Sequence, residues 1–289
     1  MTKTTTSGKA MRKVKCEQIT ETVAKLCITA NIDADASVRK ALCQARVIET
    51  SEPAKNALDM IIENMAVAET ERMPMCQDTG VVVVFVDIGQ DVHVAGNLSK
   101  AIHEGVRKGY RDGYLRASVV KDPIARENTK DNTPAIIHYN IVEGDSLNIT
   151  VMPKGFGSEN KSALRMLTPS DGIEGVKQFV IDTVRNAGEN PCPPMVIGIG
   201  IGGTMEKAAI LSKQALALDI FEKNEDPYWA NIEQELLQKI NELNIGAAGF
   251  KGKATAIGLR ILTYPTHIAG LPVAVNIGCH VSRHKSEVI

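Results

Sequence analysis

Apolar positions recur at helical spacing through the first quarter of the chain. Ile19, Val23, Leu26 and Cys27 fall on one face of a helix predicted over residues 16–30, and a second helix fits 36–49. A third is predicted over 52–72: Pro53 suits its first turn, Leu58, Ile61, Ile62 and Met65 form its apolar stripe, and Pro74 ends it. The pattern then changes period. Residues 81–88 are a β-branched run of the kind that fills a buried strand, followed by a helix over 97–112. Strands over 135–142 and 147–152 flank Glu143-Gly144-Asp145-Ser146, which predicts a hairpin. Farther on, helices fit 171–187, 204–218 and 231–244, strands fit 254–263 and 271–277, and a short strand precedes Gly198. Such intermixing predicts a mixed α/β fold: a helical N-terminal part, and mixed, partly antiparallel sheets packed with helices. No internal repeat or break in composition divides residues 16–289, which read as one domain, single or two-lobed, behind a polar, disordered tail at 1–15.

Three polar or glycine-rich stretches interrupt this pattern. Residues 114–134 hold Arg116, Arg126, Asn128, Thr129, Asp131 and Asn132 in a loop too long to be only a connector, with a content that suits gripping polar groups. Residues 153–161 place Gly155, Gly157, Ser158, Asn160 and Lys161 where backbone amides and side-chain donors can approach an anion, although a solvated glycine turn has the same composition. Gly198-Ile199-Gly200-Ile201-Gly202-Gly203 formally satisfies a dinucleotide-binding pattern. Asp219 and Glu222 follow the next helix directly, however, with no intervening strand ending in an acid. The better reading is glycines that allow close packing, ahead of a helix N-terminus that favours a nearby anion.

Composition narrows the function. A formal charge of -1, from 33 basic and 34 acidic residues among 289, supplies no basic field to gather nucleic acid or anionic lipid. No apolar run is long enough to span a bilayer, and the N-terminal residues lack an apolar signal segment. A cytoplasmic, reducing setting is expected, in which the six cysteines serve as core residues or metal ligands and not as a disulfide framework. Cys27 and Cys43 lie in predicted helices and suit buried positions. Cys76, Cys192 and Cys279 differ. Cys76 sits in the loop Met73-Pro74-Met75-Cys76-Gln77-Asp78-Thr79-Gly80, Cys192 is framed by Pro191, Pro193 and Pro194, and Cys279 follows Gly278 at a strand end. Three thiols displayed from loops can hold a soft metal group. If they share a four-iron cluster, one iron lacks a protein thiolate and is open to act as a Lewis acid; a closed zinc site completed by His267 or His280 is the structural rival.

Several of these motifs, in order, resemble one family. They are Met75-Cys76-Gln77-Asp78-Thr79-Gly80, Asn128-Thr129 with Asp131-Asn132-Thr133-Pro134, the loop at 153–161, Asn190-Pro191-Cys192-Pro193-Pro194, Gly198 to Lys207, and Pro265-Thr266-His267 through Cys279. Together they resemble the α-subunit of the two-subunit class I fumarate hydratases over essentially all of the chain after the tail. The resemblance implies an oxygen-sensitive 4Fe-4S hydro-lyase that reversibly adds water to fumarate to give L-malate. It implies Cys76, Cys192 and Cys279 as cluster ligands, and Gln77 and Asp78 as substrate contacts, with Asp78 also assisting proton movement. Arg116 matches a carboxylate-binding arginine; Gly155, Gly157, Ser158, Asn160 and Lys161 match a second anion-binding segment; His267 matches an active-site histidine near the cluster. Phe156 departs from the glycine of the family pattern. Further arginines, a lysine and the threonine base are implied to come from a separate β-subunit, in an α2β2 assembly. The α-subunit of L-tartrate dehydratase, which shares the cluster architecture, is the alternative among enzymes. A structural zinc protein or non-catalytic assembly subunit is the alternative outside them.

Overall fold

The computed structural model describes residues 11–289. In chain order they form β1 (Arg12–Lys15), α1 (Cys16–Ile32), α2 (Ala36–Ile48), α3 (Glu52–Glu71), β2 (Val81–Gly89), β3 (Val92–Ala95), α4 (Leu98–Asp112), β4 (Ile136–Val142) and β5 (Leu147–Lys154). There follow α5 (Phe156–Glu159), β6 (Ala163–Leu167), α6 (Gly172–Ala187), β7 (Met195–Gly202), α7 (Met205–Ala215), α8 (Pro227–Asn241), β8 (Ala256–Tyr264), β9 (Leu271–Gly278) and β10 (Lys285–Val288). The class is mixed α/β, as the pattern predicted. Of the expected tail, residues 1–10 lie outside the described residues. Residues 12–15 are not tail: β1 pairs in parallel with β3, and Val14 is buried in the core. No helix among the described residues is long and apolar enough to cross a membrane.

Contacts divide the chain into two units with interleaved segments. One comprises the residues through Asn31, Gln77–Pro153 and His284–Ile289; the other comprises Ile32–Cys76 and Lys154–Arg283. In the first unit the sheet order is β10-β5-β2-β4, with β2 parallel to β4 and β10 antiparallel to β5. The expected hairpin does not form. β2 is buried from Val82 to Val86 and takes the central place between β4 and β5. Its end is tied to their connection: Gly89 N–H donates to Ser146 O (2.8 Å) and Gln90 N–H to Val142 O (2.9 Å). Burial on both faces thus outweighs the local turn signal. Ile19, Val23 and Leu26 of α1 and Ile102 and Val106 of α4 join Val82, Val84, Val86, Leu147, Ile149 and Val151 in one core. Each such aliphatic side chain contributes about 1.5–3 kcal/mol on full burial.

The second unit is built on the order β6-β9-β7-β8, with β8 parallel and β9 antiparallel to β7. Ile197, Ile199 and Ile201 of β7 pack with Val180 and Val184 of α6 and with Leu236 and Ile240 of α8. Residues between them on the strand point the other way. There a Cβ at Gly200 would lie 2.1 Å from Ala208 O, and one at Gly198 would lie 2.1 Å from Ser212 O. These glycines let α7 lie directly on the strand, which is the close-packing role read from the sequence.

A third cluster joins Val38 and Leu42 of α2 and Leu58 and Met65 of α3 to Met75, Ala247, Ala254 and Val281; Cys76 and Cys279 pack against it. Cys27 is buried as expected, but Cys43 is exposed, because the buried stripe of α2 runs through Val38, Ala41, Leu42 and Ala45.

Glu49 fastens the end of α2 to the chain before β8. Only 3% exposed, it accepts N–H bonds from Thr50 (2.7 Å), Ser51 (3.0 Å), Lys253 (2.8 Å) and Ala254 (3.3 Å). Burial pushes its pKa up, but these four donors hold it below the usual carboxylate range. Its stabilisation is therefore present above the pKa of an unfolded glutamate, about 4.3, and is lost as pH falls through the lower folded value. Glu49→Gln is expected to cost roughly 2–3 kcal/mol at neutral pH and less in acid. Urea unfolding at both pH values measures this, and equal midpoints for variant and parent at neutral pH would contradict it.

Candidate active site

Cys76, Cys192 and Cys279 all belong to the second unit, and each is fixed through its backbone. α3 ends at Arg72, whose φ of 53° turns the chain back, and Asn64 Nδ2 then donates to Met75 O at 2.9 Å. Cys192 also has a left-handed backbone (φ 55°), and its N–H donates to Glu189 O at 3.1 Å. Two nitrogens of His280 converge on Cys192 O, the backbone N at 3.3 Å and Nδ1 at 2.8 Å. Because a carbonyl only accepts, Nδ1 carries the proton in this contact, and burial favours the neutral ring by lowering its pKa. His280 directly follows Cys279, so this contact locks the Cys192 corner to the end of β9. The prolines predicted a rigid corner; they gave no sign of the histidine that holds it.

Cys192 and Cys279 each respond to neighbouring thiols. Burial pushes the Cys192 thiol up, and the charges of Cys279 and Cys76 push it further. Burial also raises Cys279; the charge of Arg283, the Val281 N–H and the charge of Lys154 oppose this, while Cys76 adds to it. The charges of Cys76 and Cys279 thus both reach Cys192, and that of Cys76 reaches Cys279. Among the described residues, no three His, Cys, Asp or Glu side chains are grouped closely enough to hold a single metal ion. An apolar cavity of about 580 Å³, lined by Pro53, Met60, Ile61, Phe250 and His280, opens beside Cys192.

Residues 153–161 differ from the open glycine loop expected. Phe156–Glu159 wind into the single turn α5, so Glu159 N–H bonds Gly155 O and Asn160 N–H bonds Phe156 O within the chain. Ser158 is buried and turned inward, where its Oγ accepts from Lys154 Nζ at 2.8 Å. Gly155 and Lys161 are half-buried, and Gly157 and Asn160 are exposed. A Cβ at Gly157 would meet only Asn190 O, at 3.9 Å, which places this turn beside the Cys192 corner without a steric demand for glycine.

Lys154 was not singled out by the sequence. It is 6% exposed, forms an ion pair with Glu159 (3.3 Å), and burial pushes its pKa down to about 8 against the charge of Glu159. Lys213 of α7 contacts the same carboxylate. A lysine between a strand and a glycine reads as a solvated turn residue, so only its burial reveals it.

His267 is placed away from the thiols. It lies in the exposed turn before β9, with Nδ1 accepting from Ala269 N–H at 3.2 Å, whereas Cys279 follows the other end of that strand. A strand of this length spans roughly 25 Å. Thr266 Oγ1 also donates to Gly203 O (2.9 Å), just past the end of β7 farthest from Cys192. The expectation of a histidine near the cysteines is therefore corrected for a single chain: antiparallel β7 and β9 hold the two features at opposite ends.

Gln77, Asp78 and Arg116 belong to the first unit, where one network joins their segments. Thr79 Oγ1 donates to Arg116 O (2.8 Å), Tyr110 Oη to Thr79 O (2.6 Å), and Asn132 Nδ2 to Gly80 O (3.1 Å). Gln77 and Arg116 are exposed, and Asp78 is half-buried with Oδ1 accepting from Gly80 N–H at 3.0 Å. The polar loop after Arg116 mostly holds itself. Asn128 uses its amide on Ala117 O (3.0 Å) and its carbonyl on Lys130 N–H (2.6 Å), so its role there is structural.

Comparison with known proteins shows the family. The family model described as Fumarate hydratase (Fumerase) matches residues 20–288. A Methanocaldococcus jannaschii chain provisionally named L(+)-tartrate dehydratase subunit alpha is 45% identical over 273 residues, covering 92% of this chain and 95% of that one. The L(+)-tartrate dehydratase subunits alpha of Escherichia coli O157:H7 and Escherichia coli strain K12 are each 30% identical over 275 residues, covering 94% of this chain and 91% of theirs.

Proposed function

Since the chain belongs to the fumarate hydratase (Fumerase) family and is a hydro-lyase component, we propose that it is the α-subunit of an enzyme that reversibly hydrates fumarate to L-malate with a 4Fe-4S cluster on Cys76, Cys192 and Cys279. The observation that carries this reading is three loop-borne cysteines within one unit, with Cys76 and Cys279 both acting on Cys192. An all-thiol donor set is soft, and ligands spread round a common region suit a multi-iron body better than one ion. When bound, such a cluster supplies Lewis acidity that eases loss and gain of hydroxide at neutral pH.

The chain's own residues bind and orient the diacid. The planar fork of Arg116 suits one carboxylate bidentately, and Asn160 and Lys161 supply donors for the other. Gln77 orients the substrate through its amide, and Asp78 receives or returns a proton. Ser158 is not assigned a substrate contact, because Lys154 already holds it.

The relatives are named as subunits alpha, which supports a separate β-subunit; the assembly proposed with it is α2β2. The distance along β9 gives that assembly a further role: His267 can serve the thiol site only from a second copy of the chain. Hybrid assemblies of Cys279→Ser chains with His267→Asn chains are then expected to regain part of the activity that each variant lacks. No recovery in the hybrids would refute service from a second copy, and full activity of His267→Asn alone would remove His267 from the reaction.

The relatives' names favour one second reading, in which the substrate is L(+)-tartrate. Rates of the anaerobically prepared complex on fumarate, L-malate and L(+)-tartrate decide between them. Faster turnover of tartrate than malate would replace the substrate, and no turnover of any diacid by an iron-loaded complex would overturn the hydro-lyase reading.

A further inference from the structure

Lys154, Glu159 and Lys213 form a group with two ammonium ions on one carboxylate, leaving one positive charge uncompensated. Lys154 is buried, and the side chains of Glu159 and Lys213 are only 27% and 15% exposed. Exposed surface lysines are common; a largely buried excess cation is unfavourable unless an anion lies nearby. The chain around the group points to where that anion sits. Ser162 Oγ accepts from Ile277 N–H at 3.0 Å, two residues before Cys279, and Gly157 faces Asn190 beside the Cys192 corner. The segment that follows Lys154 and Glu159 is thus fastened to β9, which leads directly into Cys279, and it lies beside the chain before Cys192.

We propose that Lys154, Glu159 and Lys213 form a built-in positive counter-charge to the thiolate-bound group at Cys279, and that Lys154 is the positioning residue that fixes residues 155–161 beside it. The proposal rests on the cluster reading above. A net positive neighbour favours the more reduced, more negative state of such a group and strengthens its retention. The signs therefore separate electrostatics from simple damage. Lys154→Met removes a positive charge and shifts the cluster's reduction potential to a more negative value, whereas Glu159→Gln removes a negative charge and shifts it to a more positive one. Lys154→Arg keeps the charge and stays near the parent potential.

The test is a redox titration of the cluster in the anaerobic α–β complex for the parent and these three variants, with iron release to a chelator followed in parallel. Lys154→Met is expected to release iron about tenfold faster. Opposite shifts for Lys154→Met and Glu159→Gln support the counter-charge; coincident potentials for parent and Glu159→Gln overturn it, even if Lys154→Met fails to fold. A parent complex without a cluster sinks the functional reading and this inference together. A parent cluster whose potential ignores both charge changes sinks the inference alone.

Discussion

Cys279→Ser is expected to leave the anaerobic complex depleted of iron and to cut fumarate hydration by about a thousandfold or more, the loss of several kcal/mol of charge stabilisation at the departing oxygen. Serine is nearly isosteric but is a hard, weakly acidic donor, so it keeps the packing and loses the ligand. Cys279 is only partly buried, and the main-chain pairing of β9 and the His280 contact with Cys192 O do not involve its sulfur. Unfolding midpoint and far-ultraviolet dichroism of the variant should therefore match the parent while iron content and turnover collapse. The other cysteines provide the contrast. Cys43→Ser changes an exposed site and should alter neither property, and Cys27→Ser places a hydroxyl in a fully buried site and should lower stability alone. Retained iron and turnover in Cys279→Ser would remove it from the ligand set.

The second large effect concerns the missing half of the machinery. Prepared without its partner, this chain should bind a cluster yet hydrate fumarate about 10²–10⁴-fold more slowly than the complex, the usual worth of a positioned acid or base. The side chains assigned to substrate here are carboxylate binders, an amide and one carboxylate, and the principal base is assigned to the β-subunit. Stopped-flow hydration with and without added β-subunit measures the ratio. Comparable rates would place the whole catalytic apparatus on this chain.

What the sequence disclosed depended on how local the cause was. Helices with a clear apolar stripe were legible: Pro53 lies in the first turn of α3, and Leu58 and Met65 of its predicted stripe are buried. The pairing of strands was not. Glu143 to Ser146 gave a good turn signal, but the central place of β2 is decided by burying Val82 to Val86 between two other strands. The loop settings of Cys76, Cys192 and Cys279 were legible through their glycine and proline surroundings, because loops that display side chains need a fixed backbone. Lys154 and His280 were less so, since their importance lies in burial and in contacts across the sequence. His267 shows the same limit in reverse. Twelve positions before Cys279 in the chain, it is separated from it by a rigid strand whose direction no motif specifies.

The most direct test is elemental and spectroscopic: iron, acid-labile sulfide and zinc per chain in the anaerobically isolated complex, with the iron spectrum recorded before and after adding L-malate. The account predicts iron and sulfide in equal amounts, at the level of one 4Fe-4S cluster per chain, with the spectrum of a single iron changed by the diacid. Stoichiometric zinc without sulfide, or a cluster indifferent to L-malate and to L(+)-tartrate alike, would contradict it.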